Sequence, residues 1–363
     1  MRIQLVDPSA FTPPYDHALA AALARAGADV ELVTSRFLYG PVPEARGYRV
    51  TEHFYRRTAR RGLEARGRMA LKLAEHVTDM LRYRRVAAHA DVVHWQWLTV
   101  QPLDVRLLPR GRPRVLTAHD VLPREPRPGQ VAATRRLVGK MDAVVVHSEH
   151  GAARLRDELG LGPDRVRVIP HGAFEHLTRQ EREEPLPPEL STDRPVVLFF
   201  GLLRPYKGLD VLLSAFADVA DAELWVVGMP RMDIEPLQAA AGPNVRFVPR
   251  FITDPEIPAY FRRADVVVLP YREIDQSGVL YTALAFGKPL VLSDVGGFGE
   301  VAAHGAARLV PPGDSGALAA ALTELLGNEG ERERLSLAAA EAAAGPYSWD
   351  RSAAEHLKLY REP

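Results

Sequence analysis

The chain has 363 residues, 47% hydrophobic and 25% charged, which is the composition of a globular protein large enough for two cores. It lacks cysteine, which excludes disulfide bonds and thiolate metal sites. The absence of disulfide bonds agrees with a protein of the reducing cytoplasm. The apolar run in MRIQLVDPSA is too short for a signal peptide, and no run approaches the ~20 apolar residues of a membrane-spanning helix. We therefore expect a cytoplasmic protein.

The formal net charge is zero, but the charges are unevenly distributed. Residues 1–172 carry 28 Lys and Arg against 18 Asp and Glu, and residues 173–363 carry the reverse. The most basic stretch, Arg56–Arg85, is interpreted as a solvated helix face. The alternative is a peripheral contact with an anionic membrane or a phosphorylated acceptor. We expect no nucleic-acid partner.

Strand and helix patterns alternate through the first half of the chain. The predicted strands are Ile3–Val6, Asp29–Val33, Tyr48–Tyr55, Asp91–His94, Arg114–Thr117, Ala143–His147 and Val166–Ile169. The predicted helices are Asp16–Ala26, Arg68–Ala88, Val131–Lys140 and Gly151–Leu159. Residues 173–195 are rich in proline and glutamate and lack apolar periodicity, so they are predicted to be an interdomain linker.

The alternation restarts after residue 195. The predicted strands are Val196–Phe200, Glu223–Val227, Val245–Val248, Val266–Leu269 and Leu290–Leu292. The predicted helices are Leu209–Val219, Ile234–Ala241, Glu256–Arg263, Gly278–Phe286, Ser315–Leu326, Glu331–Ala344 and Ser348–Tyr360. Two such runs predict an α/β protein with two doubly wound parallel sheets, whose ligands bind beyond the carboxyl ends of the strands. The expected site is the cleft between the two sheets.

One predicted anion site lies in VVLFFGLLRPYKG, residues 196–208. A buried strand ends at Gly201, and Arg204 and Lys207 stand in the short loop before the next helix. Backbone N–H groups and the positive end of the helix dipole point to such a junction. A solvated loop with ordinary surface cations is the alternative interpretation.

A second stretch, YREIDQSGVLYTALAFGKPLVLSDVGGFGE, offers another helix start. Gln276, Ser277 and Gly278 open that helix, and their backbone N–H groups also suit an anion. In the first half, histidines follow four predicted strands, which should place them on one rim of that sheet. They stand in the segments His94–Trp97, His119–Asp120, His147–Ser148 and His171–Gly172.

These two stretches, with TAHD at Thr117–Asp120, VIPHG ending at Gly172 and the closing PYSWD helix, resemble retaining glycosyltransferases of family 4. The resemblance implies the GT-B fold, with two Rossmann-like domains facing a central cleft. It implies an acceptor domain over 1–172, the linker 173–195, a donor domain over 196–345, and a helix over 346–363 that packs back on the first domain.

The resemblance also implies roles for individual residues in the use of a nucleotide-diphosphate sugar. Arg204 and Lys207 would neutralise the leaving diphosphate, while His119 and Asp275 would contact the sugar; these four are the expected catalytic residues. The expected donor-binding residues are Gly201, Gly228, Arg250, Phe251, Gln276, Ser277, Gly278, Val279 and Thr282. Arg250 and Phe251 match the stretch that usually cradles the base.

The sequence departs from the family at a pair of glutamates that usually stand eight positions apart around this helix. Aligned on Gly287, their positions hold Ile274 and Thr282; aligned on Gly278, they hold Asp275 and Ala283. The second glutamate, which generally holds the ribose hydroxyls, is therefore absent. Asp275 or Glu273 takes the place of the first.

The acceptor is expected on the first domain. The loop DPSAFTPPYDHAL has prolines where relatives commonly have glycines, and its aromatic neighbours suit sugar rings or apolar groups. The expected acceptor-binding residues are Tyr15, Asp16, His17, Trp95, Gln96 and Trp97. Core packing is the alternative role for the tryptophans.

The predicted reaction is transfer of a sugar to an acceptor hydroxyl with retention, by front-face attack, without a metal or other cofactor. The acceptor is expected to be a sugar, a lipid-linked compound or a small molecule. Two alternatives are open: a nucleotide-sugar epimerase of the same fold, and a weakly active nucleotide-sugar-binding partner subunit.

Overall fold

The computed structural model describes residues 1–38, 40–58, 65–98, 100–122 and 128–362, with the backbone alone for residues 65–69. It divides the chain into two compact units. Unit 1 comprises Met1–Gly172 and Trp349–Pro363, and unit 2 comprises Ala173–Ser348. Within the described residues, no helix has both the length and the apolar character needed to cross a membrane.

Unit 1 is built on one parallel sheet. Its strands are β1 (Arg2–Asp7), β2 (Asp29–Ser35), β3 (Arg49–Phe54), β4 (Val92–Trp95), β5 (Arg114–Thr117), β6 (Ala143–Val146) and β7 (Val166–Val168). Its first helices are α1 (Pro13–Arg25), α2 (Ala65–Ala87), α3 (Gln101–Leu107), α4 (Gln130–Val138) and α5 (Glu149–Leu159). The inner strands β1, β4 and β6 are buried on both faces, as expected where helices cover both sides of a parallel sheet, whereas the edge strand β3 is largely exposed.

The strand order in unit 1 is β3-β2-β1-β4-β5-β6-β7, and all pairs are parallel. The order reverses between β1 and β4. In an open parallel sheet, the loops that leave the carboxyl ends on either side of such a reversal form the binding crevice. In unit 1 these are the loops after Asp7 and Trp95.

Unit 2 repeats the same plan. Its strands are β8 (Val196–Phe200), β9 (Glu223–Val227), β10 (Val245–Val248), β11 (Val266–Leu269), β12 (Leu290–Ser293) and β13 (Ala307–Val310). Its helices are α6 (Leu209–Phe216), α7 (Glu235–Ala240), α8 (Ile257–Arg263), α9 (Gly278–Ala285), α10 (Phe298–Ala302), α11 (Ser315–Gly327) and α12 (Glu329–Ala344). The order β10-β9-β8-β11-β12-β13 reverses between β8 and β11. The crevice is therefore flanked by the loops after Phe200 and Leu269.

The last helix, α13 (Trp349–Arg361), belongs to unit 1. It packs on α1, where Arg25 pairs with Asp350 at 2.6 Å. A Cβ built on Gly172 would overlap the Trp349 ring, which shows how closely the start of α13 approaches β7. This is the predicted return of the C-terminal helix to the first domain.

Three elements differ from the sequence prediction because they are short. The sequence pattern does not predict α3, α10 or β13, which have seven, five and four residues. Residues 173–195, predicted as a linker, belong to unit 2. They form two short 3₁₀ turns and bury Phe174, Leu177 and Leu190. Because these turns are short and irregularly spaced, the buried apolar residues do not recur at the period of a helix or a strand, and the sequence pattern does not reveal them. Residues 59–64 of the basic stretch Arg56–Arg85 lie outside the described residues.

Candidate functional site

The two loops at the crevice of unit 2 are tied to each other. The backbone N–H of Arg272 donates to the Tyr206 carbonyl at 2.8 Å, and its guanidinium donates to the Pro205 carbonyl at 2.9 Å. The same guanidinium pairs with Asp210 at the start of α6. The loop after β8 is therefore held against the loop after β11.

Lys207 and the start of α9 meet beside Gly201. A Cβ built on Gly201 would lie 3.1 Å from Lys207 Nζ and 3.0 Å from Val279 Cγ2. Lys207 is only 7% exposed, and its ammonium lies 5.1 Å from the centre of the Tyr271 ring. A fixed cation and the N-terminus of a helix thus converge on one glycine, which is the arrangement that binds phosphate groups. Arg204 is exposed on the same loop.

Glycine is required at two places where backbones approach each other in this crevice. Gly208 has φ +68°, and a Cβ there would overlap the Pro270 carbonyl oxygen. Gly228, at the end of β9, has φ +144°, and a Cβ there would overlap the Gly201 carbonyl oxygen. Through these two contacts, the loop after β8 packs against Pro270 at the end of β11 and against Gly228 at the end of β9.

We expect Gly208→Ala to lower the free energy of unfolding by about 2–4 kcal/mol, because it combines a left-handed φ with a backbone clash. Gly313→Ala is the matched control: Gly313 has φ +78°, and nothing lies within 4 Å of its built Cβ. It should cost only about 1 kcal/mol. Urea unfolding of both variants measures the difference. Equal losses would contradict the clash.

The start of α9 has its polar groups partly engaged. The Ser277 N–H donates to Gln276 Oε1 at 3.2 Å, so the Gln276 side chain lies where a ligand oxygen was expected. The Thr282 hydroxyl donates to the Gly278 carbonyl at 2.9 Å and serves the helix itself. Asp275 is 8% exposed, while Ala283 is fully buried. The two positions that align with the absent second glutamate are Thr282 and Ala283. The Thr282 hydroxyl is already hydrogen-bonded within the helix, and Ala283 lies in the core.

Arg250 and Phe251 follow β10 in a loop that is braced internally. The Arg250 guanidinium pairs with Glu256 at 2.5 Å, and Glu256 also accepts the Thr253 N–H and hydroxyl, each at 2.8 Å. Phe251 is 40% exposed. Arg250 therefore holds the loop while Phe251 presents an open ring face, which suits a planar base.

Unit 1 gathers five histidines at and beneath the carboxyl ends of its strands: His94, His119, His147, His171 and His356, the histidine cluster. The rings of His119 and His147 are 5.3 Å apart, as are those of His147 and His171, and the ring of Tyr15 packs against all three. Beneath them, His94 is hydrogen-bonded to Tyr360 at 2.6 Å and to Thr117 at 2.8 Å. The four predicted strand-end histidines are thus brought together.

The histidine cluster is electrically neutral near pH 7. Burial lowers the pKa of His147 and of His356 to about 4, and it holds the pKa of His119 well below the usual range. The His147 Nδ1–H donates to the Ile169 carbonyl at 2.9 Å, and the His119 Nε2–H donates to Gln96 Oε1 at 3.3 Å. These bonds fix the tautomers. Among the described residues, no three His, Asp or Glu side chains are grouped so as to hold a metal ion.

The predicted acceptor residues separate into two groups. Tyr15, Gln96 and Trp97 contact His119, whose ring stacks on Trp97 at 5.1 Å. Three others have structural positions, listed here with their contacts: Trp95 is fully buried against Tyr83, Asp16 is buried beside Asp7, and His17 is hydrogen-bonded to Tyr48 at 2.6 Å. Trp95 thus has the core position that was the alternative for the two tryptophans, because it lies within β4, whereas Trp97 follows the end of the strand.

The sequence pattern missed a chain of buried hydrogen bonds in unit 1, formed by Tyr55, His76 and Asp104, which we call the buried relay. His76 Nε2–H donates to Asp104 at 2.7 Å, and the Tyr55 hydroxyl is 2.7 Å from His76 Nδ1. All three side chains are buried, and Tyr55 has a left-handed backbone with φ 54°. The partners come from three separate elements, so no local motif signals them.

Comparison with known proteins assigns the family. The model for "Glycosyl transferases group 1" matches residues 194–328, and the model for "Glycosyltransferase Family 4" matches residues 15–173. A phosphatidyl-myo-inositol mannosyltransferase of Mycobacterium leprae is 40% identical over 174 residues, which are 45% of this chain and 46% of that protein. This chain thus spans less than half of that relative.

Two longer matches each cover more than two thirds of both chains. A D-inositol 3-phosphate glycosyltransferase of Nocardia farcinica is 30% identical over 325 residues, 80% of this chain and 70% of that protein. The crystal structure of Anabaena HepE in complex with UDP-glucose superposes with a TM-score of 0.73 at 19% identity, over 99% of this chain and 100% of that one. Matched in both units by family models, this chain belongs to glycosyltransferase family 4 and is a glycosyltransferase with the GT-B fold.

Proposed function

We propose that this enzyme transfers a sugar from a nucleotide-diphosphate donor to an acceptor hydroxyl, with retention at the anomeric carbon. The observation that carries the proposal is the convergence of Lys207 and the start of α9 on Gly201. The HepE structure, whose fold this chain shares, contains UDP-glucose. A nucleotide diphosphate matches the charge and the helix N-terminus of this crevice.

Charge develops on the leaving diphosphate as the bond between the anomeric carbon and the β-phosphate oxygen breaks. Lys207, Arg204 and the N–H groups of Gly278 and Val279 stabilise that charge without a metal ion. The electron pair of the broken bond stays on the phosphate oxygen, which then takes the proton of the attacking acceptor hydroxyl. The new bond joins the acceptor oxygen to the anomeric carbon on the same face.

The remaining predicted residues hold the donor and the sugar. Phe251 stacks on the base, Asp275 hydrogen-bonds the sugar hydroxyls, and His119 positions the sugar. Because burial holds the pKa of His119 low, its ring acts as a neutral hydrogen-bonding group and not as a cation. With Nε2–H directed to Gln96, Nδ1 can accept a hydrogen bond from a sugar hydroxyl, and no proton is transferred to the ring.

We further propose that the acceptor is a hydroxylated ring. The relatives named above act on D-inositol 3-phosphate and phosphatidyl-myo-inositol, both of which contain one. The residues near His119 support this class, because they combine aromatic faces with buried polar groups.

Product analysis tests the reaction. A panel of UDP and GDP sugars is incubated with D-inositol 3-phosphate, with and without EDTA, and the anomeric configuration of the product is read by NMR. We expect an α-linked product from an α-linked donor, at an unchanged rate in EDTA. An inverted product, or loss of activity in EDTA restored by a divalent cation, would contradict the corresponding part of the proposal.

The absent second glutamate favours one alternative, a weakly active nucleotide-sugar-binding subunit. Titration calorimetry separates the two: nucleoside diphosphate binding without any product from the donor panel would support the subunit. Interconversion of one nucleotide sugar into another, without an acceptor, would instead indicate an epimerase.

A further inference from the structure

The loop after β1 is held in one conformation. The buried Asp7 carboxylate accepts the backbone N–H groups of Ser9 at 3.1 Å, Phe11 at 2.5 Å and Thr12 at 3.3 Å. Ala10, between them, has a left-handed φ of 48°. Such a conformation costs a non-glycine residue about 1–3 kcal/mol and is found where surrounding contacts over-determine the backbone, often at functional sites. The loop is thus a rigid support.

This support presents an exposed aromatic ring. Phe11 is 58% exposed, although its backbone is fixed by Asp7. Its ring lies 5.1 Å from Trp97 at an interplanar angle of 32°, and the Trp97 indole donates to Thr12 Oγ1 at 2.9 Å. We call Phe11 and Trp97 the aromatic shelf. The Phe11 ring therefore offers its face to solvent from a backbone that is held in place, next to a second aromatic ring.

The aromatic shelf adjoins His119. The Trp97 and His119 rings are stacked at 5.1 Å with an angle of 15°. The three rings therefore run from solvent to the residue that is expected to contact the transferred sugar. An acceptor that lies on the shelf would present its hydroxyl next to His119.

The loop passes close to the buried relay. The Tyr55 N–H donates to Asp79 at 2.8 Å, and the Tyr55 hydroxyl lies 2.7 Å from His76 Nδ1. Burial raises the pKa of Tyr55, and the nearby Ser9 hydroxyl opposes that rise. The buried Ser9 hydroxyl has no hydrogen-bond partner in the described part of the chain, so the loop is held by Asp7 and not by the relay.

We propose that Phe11 determines acceptor specificity by stacking, together with Trp97, on the apolar face of a hydroxylated ring acceptor. This inference rests on the proposed function and names a residue that the sequence patterns leave out. Ring C–H faces stack on aromatic rings, whereas an acyl chain needs only apolar area. The Phe11 and Trp97 rings are inclined to each other by 32°, and the Trp97 and His119 rings by 15°. A series of aromatic faces that ends at a hydrogen-bonding histidine fits an acceptor ring that has an apolar face and also hydroxyl groups. The groups proposed to hold the donor diphosphate and base lie in unit 2, and of the proposed donor contacts only His119 lies in unit 1, so we assign the shelf beyond His119 to the acceptor.

Steady-state kinetics of Phe11 variants test the proposal, with D-inositol 3-phosphate as the probe and the donor that the product analysis identifies. We expect Phe11→Ala to raise the acceptor KM about five- to tenfold, the loss of one aromatic stack. Donor KM and donor hydrolysis without acceptor should stay unchanged. Phe11→Trp should restore the acceptor KM, and Phe11→Leu should not. Leu73→Ala is the control, since Leu73 is also an exposed apolar side chain, 47% exposed on α2.

Three outcomes would overturn the inference while the transferase function stands. They are an unchanged acceptor KM in Phe11→Ala, an equal rise in donor KM, and full recovery by Phe11→Leu, which would show that apolar area is enough and that no aromatic stack is needed. Saturation-transfer NMR with irradiation of the aromatic protons gives a second readout: the ring protons of the probe should lose signal in Phe11→Ala. A parent enzyme that neither hydrolyses nor transfers any donor sugar would refute the proposed function, and this inference with it.

Discussion

Lys207→Ala is expected to reduce kcat by about 10²–10³-fold, the usual effect of removing one preorganised group that stabilises developing charge. Lys207 is 7% exposed and its ammonium lies beside Gly201, where its charge is poorly screened and would act most strongly on a bound phosphate. Nucleoside diphosphate affinity should fall less than kcat, because the leaving oxygen carries more charge in the transition state than in the bound donor.

Lys288→Ala is the matched control for this prediction. Lys288 is the other lysine of unit 2, and its ammonium donates to the Arg262 and Ala264 carbonyls at 2.9 and 2.8 Å. Its loss should lower the melting temperature while kcat of the folded enzyme stays within about twofold. Initial rates, calorimetric Kd for the diphosphate and thermal unfolding are measured for both variants. Near-parental kcat in Lys207→Ala would refute its role.

The architecture could be predicted from the sequence because parallel strands buried on both faces read as continuous apolar runs. Val196–Phe200, Glu223–Val227 and Val266–Leu269 are predicted to the residue. Short elements such as β13 (Ala307–Val310) form through pairing with β12, and their own four residues carry too little pattern. The same rule predicted where the residues of the proposed anion site lie, because they follow strand ends directly.

The finer arrangement of the site depends on contacts between distant residues. Asp210 and Arg272, which join the two crevice loops, are 62 residues apart. Trp95 and Trp97 look equivalent in the sequence WQW, yet the end of β4 places one in the core and the other on His119. The hydrogen bonds from the backbone N–H groups of Ser9, Phe11 and Thr12 to Asp7 are local. Nothing in DPSAF, however, predicts that Ala10 takes a left-handed backbone conformation.

The histidine cluster should make unit 1 sensitive to acid. A histidine whose pKa is lowered on folding binds fewer protons in the folded than in the unfolded chain, so stability falls as the pH drops through the unfolded value of about 6.5. With a folded pKa of about 4, His147 and His356 would each cost about 2 kcal/mol at pH 5. His94, His119 and His171, whose pKa values are also lowered by burial, add to this loss.

Three buried carboxyl groups of unit 1 act in the opposite direction. Burial raises the pKa of Asp7, of Asp16 and of Asp79, so the folded chain binds protons there more readily than the unfolded chain. Their contribution to stability therefore grows as the pH falls toward their raised pKa values and partly offsets the histidines. The buried histidines are more numerous than these carboxyl groups, so a net loss is expected between pH 7 and 5.

Urea unfolding at pH 7.5 and pH 5.0, followed by tryptophan fluorescence, measures this loss. We expect the free energy of unfolding to fall by several kcal/mol at pH 5.0. His356→Phe removes one titrating ring without removing its volume, so it should recover about 2 kcal/mol of the difference between the two pH values. His89→Gln, at an exposed histidine, should leave that difference unchanged. If His356→Phe and His89→Gln show the same pH dependence as the parent, buried histidines do not govern the acid response.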